Sequence, residues 1–254
     1  GLQLGVGGAA GATVIAQGVS GIGITIAALW KNPQLFPKKE QRIFRKTTFS
    51  EVRRYAFFTC LQQSVMNFGI LMVQGLVNSF GPVVMAAFAA AVKIDTFAYL
   101  PVQDFGNAYS TFIAQNYGAG KKDRIRKGTR ESFLISFLFC IVISAVVCIF
   151  AAPLMRIFVS AKETAVIASG VRYLRIEGAF YCGIGCLFLL YGYYRAVKKP
   201  GMSVILTVIS LGTRVALAYI LSAYIGETGI WMAIPIGWVL ADVTGLVYMK
   251  FHEK

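Results

Sequence analysis

The chain has 254 residues, of which 57% are hydrophobic and only 14% are charged, and its formal net charge is +14. This composition excludes an ordinary soluble domain, because apolar windows of about 20 residues, the length that crosses a bilayer, recur along the sequence. The basic residues lie between those windows, so membrane topology accounts for them better than nucleic-acid binding does. We therefore expect an all-α integral membrane protein in a lipid bilayer, with no nucleic-acid partner.

Seven segments are long and apolar enough to be transmembrane helices. They are residues 3–29, 55–79, 83–117, 131–152, 173–194, 202–224 and 229–249. The third segment is longer than a bilayer requires, so part of it is expected to project beyond the inner surface.

The basic residues distribute unevenly between the two sides of such a protein. If the linker at 31–54 is cytoplasmic, 19 of the 25 Lys and Arg residues lie in cytoplasmic segments and four lie in external ones. Positively charged loops favour the cytoplasmic side of a membrane. The pattern predicts a multi-pass protein of the plasma membrane with a cytoplasmic C-terminus.

The 31–54 linker predicts the domain organisation. It is basic, contains Pro33 and Pro37, and precedes a run of six spans. These features are typical of a connection between the two halves of a transporter. We therefore expect residues 1–30 to be the last helix of an N-terminal lobe that lies outside this sequence, and residues 55–254 to be a six-helix C-terminal lobe.

Short polar and glycine-containing motifs interrupt the apolar spans. They are Asn78-Ser79-Phe80-Gly81, Ala86-Ala87-Phe88, Lys93-Ile94-Asp95, Leu100-Pro101, Gly106-Asn107-Ala108, Ala114-Gln115-Asn116-Tyr117-Gly118-Ala119-Gly120-Lys121, Tyr173-Leu174-Arg175 and Tyr194-Arg195-Ala196. Together they resemble the C-terminal half of a multidrug and toxic compound extrusion (MATE) transporter, over nearly the whole chain. The string that begins at Gln115 in a basic loop is the most specific of them.

The resemblance implies a fold of twelve helices in two six-helix lobes that works by alternating access. It implies export of small cationic or amphipathic organic compounds in exchange for Na⁺ or H⁺, with no cofactor beyond the coupling ion. A lipid or polysaccharide flippase of related architecture is the alternative, although it would favour a cavity richer in Arg and Lys. This sequence also departs from some MATE members, which carry a carboxylate in the first helix of this lobe, because Ser64 to Asn78 contains none.

An intramembrane enzyme is not expected. No His lies in any span, and neither a G-x-S-x-G nor an H-E-x-x-H motif occurs there. The five cysteines lie inside predicted spans without a C-x-x-C pair, so neither a metal site nor a disulfide framework is indicated.

Polar residues form a stripe along one face of the 55–79 span. Gln63, Asn67, Gln74 and Asn78 fall within about 60° of one another on a helix. Such a stripe is expected to face a cavity or a neighbouring helix, not lipid. Lining of a substrate cavity and hydrogen bonding between helices are both open interpretations.

Two charged residues lie deep in the 83–117 span. Lys93 and Asp95 are about 15–18 Å from its outer edge, near the bilayer midplane. Because they are two residues apart, they point in different directions and need separate partners. We interpret Asp95 as a candidate for cation coupling, directly or by exchanging a proton, with Lys93 as a second candidate. The alternative is that Asp95 only bonds Tyr99 or a neighbouring helix.

Further polar residues of the same span are weaker candidates. Asp104 and Asn107 share the face of Lys93, and Asp104 is expected near the inner boundary, where water stabilises its charge. Tyr99 and Asn107 are also candidates for the substrate cavity.

Three charged residues of later spans complete the candidates. Glu177 forms a stripe with Tyr173 and Tyr181, but about 6 Å from the outer edge it is expected to be an interfacial carboxylate. Arg214 is expected to extend to the outer surface. Asp242, on a helix interrupted by a proline, is interpreted as a structural partner or a second protonation site, with the structural role favoured.

Overall fold

A computed structural model describes residues 5–32, 43 and 45–252, and the regular structure in these residues is helical. The helices are α1 (Gly5–Lys31), α2 (Lys46–Asn78), α3 (Pro82–Gly118), α4 (Lys122–Ile149), α5 (Ala151–Phe158), α6 (Thr164–Gly178), α7 (Tyr181–Ala196), α8 (Pro200–Ile225) and α9 (Glu227–His252). The chain divides into two compact units, Gly1–Val52 and Arg53–Lys254, and the boundary falls within α2.

The lengths and hydropathies of these helices confirm an all-α membrane protein. In the described part of the chain, six helices are long and apolar enough to cross a bilayer, and the bent pair α6 and α7 makes a seventh span. Several boundaries differ from those predicted. Both α2 and α4 begin about nine residues earlier, because each helix continues as a charged segment before the apolar run starts.

The first unit contains α1 and the first residues of α2. At 27 residues α1 is about 40 Å long, enough to span a bilayer. None of its described side chains is buried within the structure. Residues 33–42 and 44 of the predicted cytoplasmic linker lie outside the described residues.

In the second unit, glycine and proline make the turn between α2 and α3. Gly81 has φ of 90°, in the region that side chains disfavour, and Pro82 is the first residue of α3. The glycine lets the chain reverse, and the proline presets the first helical φ angle. The glycine that ends the Asn78-to-Gly81 motif therefore has a conformational role.

α3 is the central helix of the second unit, packing against α4, α5, α6 and α7. Its approach to α7 is especially close, since a Cβ on Gly192 would lie 2.7 Å from the carbonyl oxygen of Gly106. Ser110 Oγ donates a hydrogen bond of 2.9 Å to the Gly192 carbonyl oxygen at the same crossing. This packing fixes the depth of α3 relative to α7.

An aromatic cluster closes the core toward the end of α3 that is predicted to be external. Phe88 stacks on Trp231 of α9 at 5.4 Å, and Tyr173 of α6 meets both rings edge-on. Edge-on and offset aromatic contacts are favourable and geometrically specific. The cluster therefore holds Tyr173 next to the part of α3 that carries Asp95.

Candidate functional site

Asp95 lies in the interior of the second unit. Its side chain is 1% exposed, and the Tyr181 hydroxyl of α7 donates a hydrogen bond to its Oδ1. The side chain of Tyr173 also interacts with this carboxyl. The prediction that Asp95 needs a partner on another helix is thus confirmed. The same bond is the contact with a neighbouring helix that the alternative interpretation describes, and among the described residues Asp95 forms no hydrogen bond with Tyr99. Both interpretations of Asp95 therefore stay open at this point.

Glu177 of α6 is the neighbour of Asp95. Its side chain is only 4% exposed, and it interacts both with Asp95 and with Tyr173. The sequence predicts an interfacial carboxylate here, whereas the structure encloses this carboxyl in protein. The face of α6 that carries Glu177 packs against α3.

The two carboxyl groups leave oxygens unsatisfied. Neither Oδ2 of Asp95 nor Oε2 of Glu177 has a hydrogen-bond partner among the described residues. Two buried carboxylates this near to each other cannot both remain ionised without a counter-charge. The pair is therefore suited to hold one proton between its oxygens, or one small cation.

Arg214 of α8 supplies positive charge to this pair. It interacts electrostatically with both carboxyls, and its side chain is half-buried, with an inaccessible Nε that has no acceptor among the described residues. The sequence predicts that Arg214 extends to the outer surface; in the structure its side chain is half-buried and its charge acts on both carboxyls. Its charge offsets part of the cost of burying Asp95 and Glu177.

The site lies at a break between two helices. α6 ends at Gly178, α7 begins at Tyr181, and the pair is bent by 53°. Glu177 comes immediately before the break and Tyr181 immediately after it. Glu177 and Tyr181, which both interact with Asp95, thus stand on opposite sides of the bend, so a change in the bend angle would alter the carboxyl pair.

The Tyr173–Glu177–Tyr181 stripe is retained in the structure across this break. All three side chains are buried, and all three interact with Asp95. The spacing of four residues between Tyr173, Glu177 and Tyr181 indicated in the sequence that these side chains share one face. No comparable signal connects Arg214 to them.

Asp242 of α9 belongs to a different contact. It is 8% exposed, its side chain interacts with the Cys186 thiol of α7, and its Oδ1 has no partner among the described residues. This contact between two helices favours the structural interpretation of Asp242. Cys186 is a residue that the sequence did not single out as its partner.

The remaining candidates of α3 lie on its exposed side. Lys93, Asp104 and Asn107 are exposed and turned away from Asp95, as the helical spacing predicts. Tyr99 is half-buried against the ring of Phe188 at 6.1 Å. These residues do not join the carboxyl pair.

The polar stripe of α2 also lies outside the packed core. Gln63, Asn67 and Asn78 are exposed, while half-buried Gln74 donates a hydrogen bond of 2.9 Å to Asn78 in the same helix. The buried glutamine of this helix is the adjacent Gln62, at 6% exposure, which the sequence did not distinguish. The stripe is therefore free to line a cavity.

Comparison with known proteins agrees with this architecture. The family described as MatE matches residues 56–220, and the chain belongs to that family of multidrug and toxic compound extrusion (MATE) proteins.

Relatives and solved structures extend the match to almost the whole chain. It is 26% identical to the probable multidrug resistance protein YpnP of Bacillus subtilis over 98% of its own length and 55% of the relative's. It is 24% identical to the probable multidrug resistance protein NorM of Thermotoga maritima, over 95% of the chain and 51% of that protein. A solved MOP superfamily transporter from Pyrococcus furiosus superposes with a TM-score of 0.87 at 20% identity, covering 99% of this chain and 57% of that one. The chain spans about half the length of the curated relatives it matches.

Proposed function

We propose that residues 55–254 form one lobe of a secondary active multidrug exporter, in which Asp95 and Glu177 bind the coupling ion, Na⁺ or H⁺, and that α1 is the last helix of the other lobe. The observation that carries the proposal is the meeting of these two buried carboxyls, from α3 and α6, beside a helix bend. A second lobe of six helices would supply the opposite wall of the transport cavity. We refer to this assembly as the two-lobe transporter.

Neutralisation of the carboxyl pair is the proposed coupling step. With the ion bound, the pair carries less negative charge, and α6 can pack closely on α3 with Tyr173 and Tyr181 holding the oxygens. With the ion released, the repulsion between the carboxylates strains the contact across the bend. The two charge states then favour different bend angles, which is what alternating access requires.

The exposed polar faces of α2 and α3 are the proposed cavity wall. Gln63 and Asn67 offer both donors and acceptors to substrates of varied structure. Small amphipathic organic compounds fit such a wall, because the helices between the polar positions are apolar. The flippase alternative is not favoured, since Lys93 is the one Lys or Arg that these two faces contribute between residues 55 and 118 of the described structure.

The proposed orientation places the C-terminus in the cytoplasm. The basic segments between the spans support it, because positively charged loops favour the cytoplasmic side.

Removal of one carboxyl charge tests the proposal. Asp95→Asn in the two-lobe transporter should reach the membrane at normal levels and bind substrate, yet lose its response to an imposed proton or sodium gradient. Asp104→Asn is the matched control, because this aspartate lies exposed on the other side of α3, and it should keep the response. Unchanged gradient dependence in Asp95→Asn would remove this residue from the coupling site.

A further inference from the structure

A groove runs along the outer half of α3 and is separate from the carboxyl pair. It has a volume of about 610 Å³ and lies between the first three turns of α3, the end of α5 and the start of α6. Its walls are mostly small or apolar residues, such as Ala86, Ala89, Val159 and Val166. This volume lies within the range of pockets that hold small organic ligands.

Lys93 forms the inner end of this groove. It lies eleven residues after Pro82, the first residue of α3, and therefore about 16 Å along the helix axis. A lysine side chain is too short to reach the outer surface from that depth, and a charge facing lipid there is costly. The groove is thus expected to be open to water from the transport cavity.

The ammonium group of Lys93 forms no ion pair or hydrogen bond with any residue that the structure describes. The ion pairs formed between described residues are Lys127–Glu131 and Arg172–Glu227, and neither includes it. Asp95, two residues further along, is buried on the opposite side of the helix. The one carboxylate that lines the groove, Glu163, lies at the start of α6 and is exposed.

We propose that this groove binds the acidic group of an amphipathic organic anion at Lys93, with the apolar part of the ligand along α3. This inference rests on the proposed export function and narrows its substrates to compounds with a carboxylate or a similar acid. An organic cation is disfavoured, because its charge would lie next to the ammonium group of Lys93, which pairs with no described carboxylate. Glu163, at the mouth, is screened by solvent and leaves the inner end positive.

Binding of two dyes with related ring systems and opposite charge tests the proposal. The purified chain in nanodiscs of zwitterionic lipid is titrated with fluorescein, an anion, and with rhodamine 6G, a cation, against empty nanodiscs. Wild-type protein should bind fluorescein, and Lys93→Gln should weaken that binding by about ten- to a hundredfold, the value of one charged hydrogen bond. Lys93→Arg should retain it, and so should Glu163→Gln, the control that removes the other charge of the groove.

Three outcomes would overturn the proposal. Equal fluorescein affinity in wild type and Lys93→Gln is the first, and binding of rhodamine 6G alone by the wild type is the second. The third is that an anionic phospholipid copurifies with the wild-type protein but not with Lys93→Gln. That result would show that the groove binds a lipid headgroup. Lys93→Met replaces the glutamine variant if the latter does not reach the membrane. This binding experiment uses no ion gradient. A negative dye-binding result therefore does not affect the proposal that Asp95 and Glu177 bind the coupling ion. A negative result in the gradient experiment likewise does not affect the binding of the anion at Lys93.

Discussion

The hydroxyl of Tyr181 donates a hydrogen bond to Oδ1 of Asp95, joining α7 to α3 across 86 residues of sequence. Glu177 interacts with the same carboxyl from the other side of the α6–α7 break. The bend of the broken span and the charge of the carboxyl pair are therefore linked through three side chains. A transporter needs such a link between its ion site and an element that moves.

Removal of the Tyr181 hydroxyl tests this link. Tyr181→Phe leaves the ring in place but deprives a buried carboxyl of its donor, which costs about 1–3 kcal/mol. We expect a lower thermal unfolding midpoint for the purified chain. Tyr219→Phe is the control, since Tyr219 is 48% exposed on α8 and should not change the midpoint. Equal midpoints for the two variants would show that the Tyr181 bond contributes nothing.

Close packing of α8 and α9 gives a second prediction. A Cβ on Gly237 would lie 2.3 Å from the carbonyl oxygen of Ser210, and a backbone atom cannot move aside as a side chain can. Gly237→Ala should therefore destabilise the chain by about 1–3 kcal/mol. At Gly212 nothing lies within 4 Å, so Gly212→Ala should be neutral or slightly stabilising through helix propensity. Thermal unfolding of both variants measures the difference, and a similar midpoint would contradict the α8–α9 packing.

Adjacent glutamines of α2 give a third prediction. Gln63 is exposed on the proposed cavity wall, whereas Gln62 is buried. Gln63→Leu in the two-lobe transporter should raise the KM of an exported, hydrogen-bonding substrate about fivefold, the value of one hydrogen bond, with normal protein levels. Gln62→Leu should instead alter protein level or stability. An unchanged KM in Gln63→Leu would remove this face of α2 from the cavity.

Membrane orientation gives a fourth prediction. Single cysteines at Lys122 and Ser160, both exposed, should lie on opposite sides of the membrane. An impermeant thiol reagent added to intact cells should label the cysteine at Ser160 and not the one at Lys122, in a background without the exposed Cys60. Labelling of the cysteine at position 122, without labelling at position 160, would show that the orientation is the reverse of the one proposed.

Most of the architecture was predictable, because the hydropathy that marks a transmembrane helix is summed over many residues. Each span contributes about twenty apolar residues, and the helices of the structure contain all seven predicted segments almost entirely. The sequence also predicts that Lys93 and Asp95 lie on different faces of α3, since two residues apart on a helix they point in different directions. Local periodicity accounts for both results.

The meeting of Asp95 with Glu177 and Arg214 was not predictable in this way. It depends on how α3, α6 and α8 pack, and a single sequence contains no measure of contacts between distant helices. The break after Gly178 lacks a proline, and the charges at Arg172, Arg175 and Glu177 lower the hydropathy of α6. For that reason the predicted span begins at residue 173, within a helix that begins at Thr164.

The central claim is that Asp95 and Glu177 form a single coupling site, and a double-substitution cycle in the two-lobe transporter tests it most directly. Gradient-driven export and substrate exchange without a gradient are measured for Asp95→Asn, Glu177→Gln and the double variant. If the carboxyls act as a unit, each single variant loses the gradient response while exchange continues, and the double variant is no worse than either. Losses that multiply in the double variant, or a normal gradient response in either single variant, would contradict the claim.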